Sequence, residues 1–160
     1  MSAPTYLQRL RLEGGVLAAC GAVGTAALFA GTAGAGHNPV STALQLCVVA
    51  LLLLWLGPRG VRRSMAASSE RRGDEIGSGE PTPLWHIGAI VVILAGAAGL
   101  LAGWDAGIRV TAGCVLVGAA QALLLGSIVR REEHDTGRTF YRTAGSRILR
   151  GTRLRHVLRP

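Results

Sequence analysis

The sequence predicts an all-α fold, an integral membrane four-helix bundle with N- and C-termini cytoplasmic and a basic C-terminal tail. Three observations predict it. Apolar residues make up 49% of 160 residues and come in four long runs, with a mean hydropathy of +0.38. Spanning hydrocarbon takes about 20 such residues, with roughly 17–25 tolerated, and residues 14–35, 39–56, 83–104 and 106–129 meet that length. All 17 basic residues are arginine, and only Arg109 falls outside the segments before the first run, between the second and third, and after the fourth. Arginines in short loops are retained on the cytoplasmic side.

The lead-in, residues 1–13, is amphipathic, with Tyr6, Leu7, Leu10 and Leu12 around Arg9 and Arg11. It suits the headgroup level before the first helix. Two targeting readings compete with that helix. Leu17-Ala18-Ala19-Cys20 has the form of a lipidation site, yet the apolar run follows the cysteine instead of preceding it. Ala33-Gly34-Ala35 offers a signal-peptidase site, yet the run before it exceeds the roughly 7–15 residues of a signal h-region. A retained helix is expected.

Asn38-Pro39 reads as an N-cap followed by proline at the first helical position, which starts the second helix. Gly57-Pro58 is expected to end it. Residues 57–82 form a polar inner loop with five arginines and four acids, expected to be helical at most over Val61–Arg72. Thr82-Pro83 repeats the cap-plus-proline signal. The chain must turn near Trp104-Asp105-Ala106-Gly107, because the uninterrupted apolar stretch is too long for one span. Asp105 is placed to cap the fourth helix at its positive end. Trp55, Trp85 and Trp104 mark the interfacial depth. Residues 130–160 form the tail, with Gly137 as a helix stop.

Helices in lipid associate through close packing of small residues. Steps of four give one ridge of Ala18, Ala22, Ala26, Ala30 and Gly34, a second of Ala95, Gly99 and Gly103, and a third of Cys114, Gly118, Ala122 and Gly126. The second and third helices to carry such ridges are expected to pack as a hairpin through Gly99, Gly103, Gly118 and Ala122. The same faces could take a protein partner or a second copy. The Leu51–Leu54 run suits lipid.

Chemistry is sparse. Cys20, Cys47 and Cys114 lie inside apolar runs without metal or redox spacing, so no disulfide is expected. His37, His86, His134 and His156 share no ligand spacing. Neither a nucleophile elbow nor a phosphate-binding glycine loop is present, and no catalytic, cofactor or metal residue is assigned. No acid or base sits mid-helix, whereas ion-coupled transport usually needs one. Gln45 and Gln121 are the main polar groups at depth and read as interhelical hydrogen-bonders.

Nine arginines against three acids make the tail the most charged segment. Arg138, Arg142, Arg147, Arg150, Arg153 and Arg155 are the candidate contacts for anionic lipid of the inner leaflet, with Phe140, Leu154 and Val157 among its insertable groups. Nucleic acid is the least supported partner. The sequence thus favours a non-enzymatic scaffold or accessory subunit of the cell membrane. A small transporter or channel component requires Gln45 and Gln121 to share a cavity. A membrane-embedded enzyme would have only His86 and Glu13 to work with.

Overall fold

The computed structural model describes residues 5–32, 38–70, 85–142 and 154–158. Four helices are long and apolar enough to cross a membrane, over Tyr6–Gly31, Pro39–Ala66, Trp85–Ala102 and Trp104–Thr136.

Helix α1 runs without a break over Tyr6–Thr32, so the expected lead-in is its first turns. Its start is a reciprocal cap: Thr5 N–H donates to Gln8 Oε1 at 3.0 Å and Gln8 N–H to Thr5 Oγ1 at 3.2 Å. Each side chain satisfies a backbone donor that the helix leaves open. Helix α2, Pro39–Ala66, starts at Asn38 as the sequence predicts, with Asn38 Oδ1 accepting from Val40 and Ser41 N–H.

The end of α2 corrects the expectation of a stop at Gly57-Pro58, for the helix continues through Pro58 to Ala66. Proline inside a helix removes one hydrogen bond and crowds the preceding turn. Here the affected carbonyl is that of Leu54, four residues before. The cost is offset beyond Pro58, where the extension buries Val61 and Met65.

Helix α3 spans Trp85–Ala102 and α4 spans Trp104–Ala119. Gly103 alone joins them, at φ +86°, a conformation that favours glycine. The hairpin turn therefore falls where the sequence places it, but Gly103, not Asp105, is the N-cap. After α4, residues Ala120–Leu125 form a π-helical segment that leads straight into α5, Gly126–Thr136. Gly137 ends it in the left-handed conformation at φ 64°, as expected of a helix stop.

The tail is not irregular. Strand β2, Arg138–Arg142, pairs antiparallel with β3, Leu154–Leu158, placing Phe140 opposite His156. The short β1, Ser69–Glu70, runs parallel to β3 on its other side, giving the order β1-β3-β2. This corrects a purely all-α chain to a mostly helical one with a small sheet. Within the helical part, α1 and α4 form the most extensive contact; α3 packs on both, and α2 lies against α4.

Candidate functional site

Three places combine polarity with close packing: the α1–α4 seam, the Asn38 end, and the arginine-rich end, where the sheet caps the helices.

On the seam, the close approaches are made by glycines. A Cβ on Gly14 would lie 2.6 Å from the Gly118 carbonyl, and one on Gly21 would lie 2.7 Å from that of Thr111. Gly118 in turn faces Ala18 and Gly14, so its partner is α1, whereas the sequence reading put it against the third helix. Ala122 meets Gly14, and a Cβ on Gly126 would lie 3.6 Å from Leu7 Cδ1. Ala22 and Ala26 are exposed. The α3–α4 contact runs instead through Gly107, whose Cβ would lie 3.2 Å from the Ala95 carbonyl, while Gly99 is covered by the Trp104 ring and Gly103 serves the turn.

The physical reason is helical phase. At 3.6 residues per turn, each step of four drifts roughly 40° round the helix, and four such steps leave the stripe. Alternating steps of four and three, as in Gly14, Ala18, Gly21 and Thr25, hold it. Deep in this seam, Thr111 donates to the Gly107 and Ile108 carbonyls at 3.1 and 3.0 Å. Its oxygen lies 2.9 Å from the Thr25 hydroxyl, which is also 2.9 Å from the Gly21 carbonyl. Sequence reasoning missed this pair, since threonines commonly bond to their own helix and carry no signature of a cross-helix partner.

At the Asn38 end, Asp105 Oδ1 accepts from Asn38 N–H at 3.2 Å, and Asp105 Oδ2 pairs with Arg109 Nη2 at 2.6 Å. The single arginine of this end is thereby neutralised by the single described acid there. Asp105 remains in the first turn of α4, where the helix dipole favours it.

At the opposite end, Leu10 of α1, Val61 and Met65 of α2, Val129 of α5, Phe140 of β2 and Leu154 of β3 make one buried cluster. Phe140 and Leu154 were expected to insert into lipid; they are 2% and 6% exposed inside the protein. Full burial of such side chains contributes about 1.5–3 kcal/mol each, which gives the tail a reason to fold back. Two polar groups are enclosed with them. Glu133 Oε1 accepts from Phe140 N–H at 3.1 Å, and His156 Nδ1 lies 2.9 Å from Ser68 Oγ. The Phe140 ring meets His156 edge-on, with centroids 6.3 Å apart.

Around this cap Arg11, Arg62, Arg63, Arg130 and Arg138 are exposed and form no ion pair among the described residues. Arg142 and Arg155 belong to strands β2 and β3; Arg147, Arg150 and Arg153 lie outside the described residues. Gln45 is exposed on α2 and Gln121 half-buried within the π segment, with no hydrogen bond between them. His86 stacks on Trp85 with ring centroids 3.8 Å apart, and Glu13 is half-buried on α1. The three described cysteines are free. No family model matches the chain, and no curated protein or solved structure is significantly similar to it.

Proposed function

We propose that the protein is a non-enzymatic scaffold or accessory subunit, multi-pass in the cell membrane, whose arginine-rich cap faces the cytoplasm and rests on anionic lipid. The four apolar helices are compatible with a multi-pass membrane protein. The observation that carries the finer reading is the ring of exposed arginines without acidic partners at one end, against a single neutralised arginine at the other. Arginines on one side set orientation, and unpaired arginines near headgroups attract anionic lipid at about 1 kcal/mol each before screening. With Phe140 and Leu154 occupied in the cap, the tail would contact lipid through Arg138, Arg142, Arg147, Arg150, Arg153 and Arg155 and not by insertion.

The test is full-length protein in nanodiscs. Protection of the tail from chymotrypsin should be greater in anionic than in neutral bilayers, should fall with salt, and should be lost when Arg138, Arg147, Arg150 and Arg153 are changed to Gln. Equal cleavage in both lipids would remove the lipid contact and leave a protein partner as the better account. A second reading, a small transporter component, is favoured by one observation: Gln121 stands in a π-helical segment, a feature frequent at functional sites. Solute uptake into proteoliposomes tests it.

A further inference from the structure

A groove of about 450 Å³ runs along α2, lined by Val49, Leu52, Leu53, Leu56, Gly57, Gly60, Val61 and Ser64, with Tyr6 of α1 at one end. Its lining changes character with depth. From Val49 to Leu56 it is aliphatic, about 10 Å of rise along the helix, which fits within one leaflet of a hydrocarbon core about 30 Å thick. Gly60 then opens the floor, for a Cβ there would meet nothing within 4 Å, while Gly57 is backed by Leu125, whose Cδ2 would lie 3.1 Å from a Cβ. Past them stand the exposed Ser64 hydroxyl and Tyr6.

Two arginines of the same helix stand beside this groove without lining it. Arg63 follows Leu56 by seven residues and Arg59 follows Leu52 by seven, so each lies nearly in line with a groove residue along one wall. Arg59 is held over the Trp55 ring at 4.9 Å and hydrogen-bonded to the Trp55 carbonyl. Indole at that point marks the interfacial depth. Neither arginine has an acidic partner among the described residues. The continuation of α2 through Pro58 is what brings them into register with the aliphatic wall.

We infer that this groove is a binding site for one anionic glycerophospholipid, an acyl chain lying on Val49–Leu56 and the headgroup phosphate at Arg59, Arg63 and Ser64. An aliphatic trough with two guanidiniums beside its polar end, neither with an acidic partner among the described residues, complements a molecule that is apolar along its length and anionic at its end; a zwitterionic lipid brings the same phosphate with a choline cation that offsets it, so its net attraction is weaker. The inference rests on the reading that α2 crosses the bilayer with Arg59 at the inner interface; it does not depend on the tail.

The experiment is native mass spectrometry of the full-length protein equilibrated with equal amounts of dioleoyl phosphatidylglycerol and dioleoyl phosphatidylcholine in detergent. The wild type should retain one phosphatidylglycerol in preference to phosphatidylcholine. Arg63→Gln should lower that retention roughly fivefold, the factor that one arginine's surface attraction supplies. Gly60→Leu should abolish it by filling the trough, and the backbone there has room for the side chain. Gly15→Leu, at another open exposed position, is the control and should retain lipid as the wild type does. Equal retention of the two lipids, or full retention by Gly60→Leu, would overturn the site, as would a dimer that forms through this face and releases the lipid. Replacing the tail arginines should leave retention unchanged, which separates failure of this site from failure of the tail contact.

Discussion

Gly118 of α4 lies backbone to backbone against Ala18 of α1: a Cβ on the glycine would come within 2.5 Å of the Ala18 nitrogen. Neither chain can yield there without moving a helix. Gly118→Leu should therefore lower thermal stability in detergent by about 1–3 kcal/mol or more, and Gly14→Leu should do the same from the other side. Leu at Gly15, which faces open space, should be tolerated. Equal melting of all three variants would dissociate the seam from stability.

Thr25 and Thr111 add a side-chain hydrogen bond between these two helices. A double-mutant cycle with Thr25→Val and Thr111→Val should return a coupling of about 0.6 kcal/mol, at most about 1.7. Additive losses would mean that each hydroxyl serves only its own helix.

Orientation is tested independently of packing. Reporters fused after Arg72 and after Arg159 should both read cytoplasmic, and one inserted at Gly36 should read outside. A tail that reports from the opposite side would invalidate the proposed orientation of the cap.

The cap should unfasten separately from the spans. Phe140→Ala removes the ring from a site that is 2% exposed and should cost about 3–5 kcal/mol, read as rapid trypsin cleavage within residues 138–158 while the four helices stay intact by circular dichroism. Glu133→Ala should weaken the same segment by about 1–3 kcal/mol, because Phe140 N–H loses its buried acceptor. Glu133→Gln, which keeps an acceptor oxygen, should cost less. Protection of the tail in all three variants would refute its docking.

Helix α1 supplies Leu10, Gly14 and Gly21 to the cap and the seam. Removal of residues 1–35 by a signal peptidase would take all of them away. The intact mass of the purified protein should therefore include these residues.

Signals confined to a few neighbouring residues were legible in the sequence. Asn38-Pro39 announced the start of α2, the stretch around Trp104 announced the hairpin, and Gly137 announced the end of α5. The spans followed from length and hydropathy alone. What could not be read depends on partners distant in the chain. Pro58 spells a helix stop locally, and only the burial of Val61 and Met65 against residues from α1, α5 and the tail carries the helix past it. Strands β2 and β3 are only five residues each, with three arginines between them, β1 is two residues, and β3 gains its definition from neighbours 69–70 and 138–142. On α1 the packing face failed on phase, since a strict step of four selected Ala22 and Ala26, whereas the seam follows Gly14 and Gly21; the ridge through Cys114, Gly118 and Ala122 does pack, but on α1 and not on α3.

The position of β3 between β1 and β2 also imposes a chronology on biosynthesis. Its two neighbours are translated first and stay unjoined, a strand's width apart, until residues 154–158 leave the ribosome. A nascent chain halted earlier would lack Leu154 and leave its side of the Leu10, Val61, Met65 and Val129 cluster uncovered, an apolar surface of the sort that promotes misassembly. The central strand thus acts as a closing latch on this cap.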